Sequence, residues 1–212
     1  MKTDRLIDVL TDDASPLRED AVRTLALGLG AGAIISFAIM LLWLGIRPDI
    51  AAAVATWGYW AKFLYTLGFA VLGFFTVERL TRPGVEVRRQ AVWEIAPFAA
   101  IALAAVAQWN AAPADQHISL LMGGSNTVCP WRIVILSLPL LAGTLLGMRT
   151  LAPTRPMLAG GAAGLLAGSA GAWIYAFACG ETSAVFVAVW YTAGIALMGV
   201  AGMAIGQRVL RW

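Results

Sequence analysis

Long apolar runs separated by short charged segments dominate the pattern of the chain. Each run is about 18–23 residues long, and crossing a bilayer core as a helix takes about 17–25 residues. The runs are apolar on all sides rather than on one face, which is typical of membrane helices and not of helices around a soluble core. The pattern predicts an all-α, polytopic membrane protein with a six-transmembrane-helix bundle. The predicted spans are about 22–44, 57–76, 91–109, 131–148, 156–178 and 183–205.

Composition supports this interpretation and divides the chain into two parts. Of the 212 residues, 60% are hydrophobic and 13% are charged, whereas a soluble domain averages about 45–50% and about 25%. The first 20 residues are rich in carboxylates, so they do not resemble a cleavable signal peptide, which begins basic and soon becomes apolar. We therefore expect a cytoplasmic segment over residues 1–20 and a membrane domain over residues 21–212.

The distribution of Lys and Arg predicts the orientation in the membrane. Twelve of the fifteen basic residues fall on one side: in the N-terminal segment, in the loops after the second and fourth spans, and in the C-terminal tail. The positive-inside rule places that side, with both termini, in the cytoplasm. The other three are Arg47, Arg132 and Lys62; Lys62 lies near the outer end of its span, from which its side chain can snorkel to the interface. Because the basic residues flank spans, the chain's formal net charge of +3 does not indicate direct binding of nucleic acid.

Candidate chemistry inside the spans is sparse. Transporters and channels place ionisable groups near the bilayer midplane, and the spans have almost none there. A single histidine, His117, cannot by itself support a hydrolytic or zinc site, and no Cys-x-x-Cys pair occurs. We therefore predict a binding protein rather than an enzyme, with no catalytic residues, no bound metal and no cofactor. The alternatives are a small-solute transporter or channel, and a membrane thiol oxidoreductase.

Two cysteines are the most informative polar residues. Cys129 directly precedes the fourth span and Cys179 directly follows the fifth. Because these spans form a hairpin, both thiols are predicted at the same outer end of adjacent helices, in an oxidising compartment. Helix axes lie about 8–10 Å apart, and non-helical ends at both positions would let the Cα atoms approach the distance a disulfide needs. We expect a disulfide, permanent or redox-responsive; two inert thiols or a soft-metal site are the alternatives.

The N-terminal segment has the pattern of a short amphipathic helix. Thr3 is a candidate N-cap, and Ser15-Pro16 starts a second helix that leads into the first span. The carboxylates argue against an anionic lipid surface, which favours a protein partner; docking onto the chain's own loops is the alternative. The apolar side holds Leu6, Ile7 and Leu10, and the polar side Asp4, Arg5 and Asp8.

The opening decapeptide MKTDRLIDVL resembles the start of the NrsF-like anti-sigma factors. The six-span layout with outer cysteines near the fourth and fifth spans is similar to that family as well. The resemblance implies a multi-pass protein of the bacterial inner membrane that sequesters a SigF-type extracytoplasmic-function sigma factor. It also implies that the paired outer cysteines, Cys129 and Cys179, take part in sensing metal or oxidative stress.

Carried over by position, the resemblance implies roles for individual residues. Leu6, Ile7 and Leu10 would be apolar anchors into the sigma factor. Asp4, Asp8 and Arg5 would orient it, since sigma factors present basic DNA-binding surfaces. The loop over residues 78–90 is long enough to form a second contact.

Overall fold

The computed structural model describes residues 17–82, 88–151 and 153–211, and its elements are helical throughout those ranges. The residues predicted to bind a partner, Asp4 to Asp8 and Leu10, lie outside them. The helices, in chain order, are α1 Leu17–Trp43, α2 Ile50–Ala53, α3 Trp57–Leu80, α4 Arg88–Ala111, α5 His117–Met122, α6 Cys129–Arg149, α7 Pro156–Tyr175 and α8 Ala184–Val209.

The prediction of an all-α bundle with six transmembrane helices is confirmed. Helices α1, α3, α4, α6, α7 and α8 contain segments long and apolar enough to cross a membrane. Their ends differ by a few residues from the sequence estimate. Helix α6 begins at Cys129 because Pro130 fits the first turn of a helix, where its missing N–H is not needed. Helix α7 ends at Tyr175, which leaves the chain around Cys179 non-helical.

Helix α7 lies at the centre of the bundle, packed against α8, α3 and α6. Its small residues let the neighbouring backbones come close. An added Cβ at Gly160 would overlap the main chain of Gly202, and one at Gly164 would overlap the main chain of Met198. Such small-residue contacts replace hydrophobic burial as the source of packing energy between membrane helices. Helix α4 lies at the periphery and is the least buried span.

The last helix contains a π-helical turn over Val187–Tyr191. A π turn adds one residue to a turn of α-helix, and such turns are frequent at functional sites. The start of α8 is fixed from outside: Gln108 Oε1 accepts hydrogen bonds from the Ala184 N–H at 2.8 Å and the Val185 N–H at 3.4 Å. The Trp190 indole donates to the Leu121 carbonyl at 2.8 Å. These bonds fix the π turn relative to α4 and α5.

Candidate functional site

The structure brings Cys129 and Cys179 together at one end of the bundle. Cys129 is the first residue of α6, and its N–H donates to the Ser125 carbonyl at 2.8 Å. Cys179 follows α7, and its N–H donates to the Tyr175 carbonyl at 3.0 Å. Both are buried free thiols, and the Cys129 thiol is hydrogen-bonded to the Cys179 sulfur. The disulfide expected from the sequence stays a prediction, while the adjacency it requires is present.

Lys62 is buried beside the thiol pair, so it does not snorkel to the interface as its position in the sequence would allow. Its side chain is 0% exposed, and its Nζ donates to the Cys179 carbonyl at 3.0 Å and the Glu181 carbonyl at 2.8 Å. Helix α3 packs on α7, which aims Lys62 at the main chain just beyond the end of α7. Those carbonyls have no partner within a helix, so the ammonium satisfies them.

Arg47, in the loop after α1, is a second cation at the same carbonyl. Its Nη1 donates to the Cys179 carbonyl at 3.1 Å, and its main-chain N–H donates to the Phe177 carbonyl at 3.1 Å. The rest of its guanidinium forms a bidentate ion pair with Asp49, with distances of 2.7 and 2.6 Å. That hydrogen bonding raises the pKa of Arg47 and lowers the pKa of Asp49. Arg47 therefore already has its counter-ion.

Glu181 connects the two loops that carry the cysteines. Its Oε1 accepts hydrogen bonds from the Gly124 N–H at 2.8 Å and the Ser125 hydroxyl at 3.1 Å. The Ser125 carbonyl in turn accepts the Cys129 N–H. One carboxylate therefore holds the segment before α6 against the segment after α7, and fixes the two cysteines relative to each other.

Two tyrosines complete the wall around the thiols. Tyr191, on the π turn, is fully buried, and its hydroxyl lies beside the Cys179 thiol without a hydrogen-bond partner of good geometry among the residues described. The Lys62 Nζ lies 5.8 Å from the centroid of its ring, within cation–π range. Tyr175 packs against it with ring centroids 5.8 Å apart, and Arg132 Nη1 lies 3.5 Å from the Tyr175 hydroxyl.

These neighbours adjust the acidity of Cys179. The hydrogen bond from the Cys129 thiol lowers the pKa of Cys179, and the nearby Lys62 ammonium lowers it further, while burial acts in the opposite direction. A thiolate is the reactive form of cysteine toward oxidants, electrophiles and soft metals. The site is therefore suited to thiol chemistry. No group of three or more His, Cys, Asp or Glu side chains that could hold a metal ion occurs within residues 17–82, 88–151 and 153–211.

Sequence reasoning identified both cysteines but not Lys62, Glu181 or Tyr191. A basic residue within an apolar run was the available signal for Lys62, because a charge retained in a span is costly unless it has a structural or functional role. The roles of Glu181 and Tyr191 depend on tertiary contacts across 56 residues or more and on a π turn. No local pattern reports either feature.

Comparison with known proteins gives full-length matches. The family model "Negative regulator of sigma F" (NrsF) matches residues 10–212. The "Anti-sigma-F factor NrsF" of Caulobacter vibrioides (strain NA1000 / CB15N) is 40% identical over 214 residues, covering 100% of both chains. The "Probable anti-sigma-F factor NrsF" of Azospira oryzae (strain ATCC BAA-33 / DSM 13638 / PS) is 36% identical over 222 residues, again covering 100% of both. No solved structure matches the chain.

Proposed function

Since the chain belongs to the NrsF family of negative regulators of sigma F, we propose that it is an anti-sigma factor of the bacterial inner membrane. It holds an extracytoplasmic-function sigma factor at the membrane and releases it when the thiol pair reacts with an oxidant or another thiol-reactive signal. The relatives carry the names of regulatory factors and not of enzymes, in keeping with a binding function.

The observation that carries the signal part of the proposal is the buried pairing of Cys129 and Cys179 beside Lys62. Helix α6 begins at one cysteine, and α7 ends shortly before the other. A bond between the sulfurs would change how these two packed helices meet, and α7 contacts most of the bundle. Release then requires two states of the bundle with different affinities for the sigma factor.

The N-terminal residues supply the binding arm in this proposal. Leu6, Ile7 and Leu10 insert into the sigma factor as apolar anchors, while Asp4, Arg5 and Asp8 set its orientation. The acidic character of residues 1–20 complements the basic DNA-binding surface of a sigma factor, which gives steering and specificity. With both termini in the cytoplasm, as the distribution of basic residues predicts, the arm and the thiols lie on opposite sides of the membrane.

Copurification tests the binding arm. The detergent-solubilised full chain is expected to retain the sigma factor with which it is coexpressed, and Leu6→Asp to abolish this by placing a charge among apolar anchors. Leu6→Met keeps an apolar side chain of similar volume and should retain the partner. Equal copurification with Leu6→Asp and Leu6→Met would exclude the proposed anchor.

A second experiment tests the thiol signal. Hydrogen peroxide added to membranes is expected to release the bound sigma factor from the unmodified chain. Cys129→Ser and Cys179→Ser should each keep the sigma factor bound, because neither variant can form the sulfur–sulfur bond. Release from both serine variants at the rate of the unmodified chain would show that the pair is not the sensor.

A further inference from the structure

The buried ammonium of Lys62 has no carboxylate partner within ion-pair distance in the part of the chain the structure describes. Its two hydrogen bonds go to neutral main-chain carbonyls. A buried charge without a compensating charge is costly, and proteins normally pair it or neutralise it. A neighbouring group that can become negative would supply the missing counter-charge of Lys62.

The nearby acidic groups are committed elsewhere. Asp49 is in its bidentate pair with Arg47, and the Glu181 carboxylate accepts from Gly124 and Ser125. The Tyr191 ring offers only its face, 5.8 Å from the Lys62 Nζ. The remaining candidate for the counter-charge of Lys62 is the sulfur of Cys179. Lys62 and Arg47 both donate hydrogen bonds to the carbonyl of that same residue. The titratable and charged groups around Cys179 are Arg47, Asp49, Lys62, Cys129, Arg132, Tyr175, Glu181 and Tyr191.

We propose that Lys62 is a positioning residue that holds the cysteines as a pair with one proton, in which Cys179 carries the thiolate and Cys129 the remaining S–H. Lys62 then decides which sulfur reacts first and how fast. The inference rests on the proposed sensing function, since it names the group that makes the thiol pair reactive at neutral pH. Burial of both sulfurs restricts the reaction to small reagents such as hydroperoxides.

The reaction with hydrogen peroxide balances without any other component. The Cys179 thiolate attacks one peroxide oxygen, the O–O bond breaks, and the products are a sulfenic acid on Cys179 and hydroxide. The Cys129 sulfur then attacks the Cys179 sulfur, so that the S–S bond forms and the S–O bond breaks. The leaving hydroxide takes the proton of Cys129 and departs as water. The two sulfurs lose two electrons in total, and the peroxide gains them.

The rate of disulfide formation in the detergent-solubilised full chain tests the role of Lys62. Lys62→Met removes the charge and keeps an unbranched apolar side chain, whereas Lys62→Arg keeps the charge. With peroxide at pH 7, Lys62→Met is expected to slow the reaction at least about tenfold, because only about a tenth of a thiol is ionised when its pKa lies one unit above the pH, where burial without the ammonium is expected to place it. The pH–rate profile of Lys62→Met should shift to higher pH, whereas Lys62→Arg should react at nearly the rate of the unmodified chain. An unchanged rate and profile in a folded Lys62→Met variant would overturn the proposal.

A measurement on the unmodified chain covers the case in which Lys62→Met fails to fold. The infrared S–H stretching band should report one S–H per molecule at neutral pH and two after acidification, calibrated with Cys129→Ser and Cys179→Ser. Two S–H groups at neutral pH would overturn the proposal. Copurification of the sigma factor is scored separately. Loss of the Lys62 effect with copurification intact removes only this inference, while absence of copurification removes the proposed function and leaves the thiol chemistry standing.

Discussion

Gly28 of α1 and Gly143 of α6 face each other so closely that a Cβ on either residue would overlap the main-chain carbonyl of the other. The contact is reciprocal, and the next turn repeats it, since a Cβ on Gly32 would lie 2.6 Å from the Pro139 carbonyl oxygen. Helices α1 and α6 can therefore approach to backbone contact only while these positions lack side chains.

Replacing Gly143 tests this crossing. Gly143→Ala is expected to destabilise the bundle by about 1–3 kcal/mol, because the added methyl group forces the two backbones apart. Gly30→Ala is the matched control on α1, since nothing lies within 4 Å of a Cβ built there. Thermal unfolding in detergent measures both. Equal melting temperatures for the two variants would contradict the close crossing.

The capping of α8 by Gln108 gives a second prediction. Gln108→Leu removes the acceptor for the Ala184 N–H and should cost about 1–2 kcal/mol, the usual loss when a helix cap is removed. Gln108→Glu keeps an acceptor at the same reach and is expected to retain most of the stability. Hydrogen exchange of the α8 N-terminus should rise in the first variant only. Similar protection in both variants would mean that the cap is unimportant.

The Arg47–Asp49 pair predicts a dependence of stability on pH. Hydrogen bonding to Arg47 lowers the pKa of Asp49 in the folded chain. The stabilising contribution is therefore present above the ordinary aspartate pKa of about 3.9 and is lost as the pH falls through the lowered value. Asp49→Asn lacks this titration. The difference in melting temperature between the unmodified chain and Asp49→Asn should shrink below about pH 4, and a constant difference would contradict the assignment.

Orientation in the membrane is tested with truncated fusions to alkaline phosphatase, an enzyme that needs disulfides and is active only outside the cytoplasm. A fusion after Pro113, beyond α4, is expected to be active, because the distribution of basic residues predicts that this end lies outside. A fusion after Thr154, between α6 and α7, is expected to be inactive. The reverse pattern would place the thiol pair in the cytoplasm and remove the transmembrane part of the proposed signal.

The six transmembrane helices could be predicted from the sequence because length and apolar character alone decide whether a segment spans a bilayer. It also placed Cys129 and Cys179 at the free ends of one helical hairpin, since chain order and span count determine that relationship. The direction in which the Lys62 side chain points could not be predicted from the sequence. A basic residue near the end of an apolar run has the same pattern whether it reaches the interface or turns into the bundle, and only the packing of α3 on α7 decides.

The short helix His117–Met122 and the π turn were also not predicted. His117, at the start of this helix, stacks on Trp109 with ring centroids 4.1 Å apart, and its Nε2 lies 3.0 Å from the Trp109 carbonyl oxygen. The π turn depends on contacts from Gln108 and Leu121, which are distant in sequence. Features of this kind arise from tertiary contacts and leave no periodic pattern in the chain.

The π turn over Val187–Tyr191 determines which face the rest of α8 presents to its neighbours. One additional residue in a turn rotates everything after it by about 100° relative to an uninterrupted α-helix. With the π turn in place, α8 packs against α7 through three glycines, Gly199, Gly202 and Gly206. A rotation of this size would move them out of that contact. The conformation of the π turn at Tyr191, beside the thiols, therefore determines the rotation of α8 at its opposite end. If the π turn rewound to a regular α-helical turn, the rest of α8 would rotate about its axis against α7.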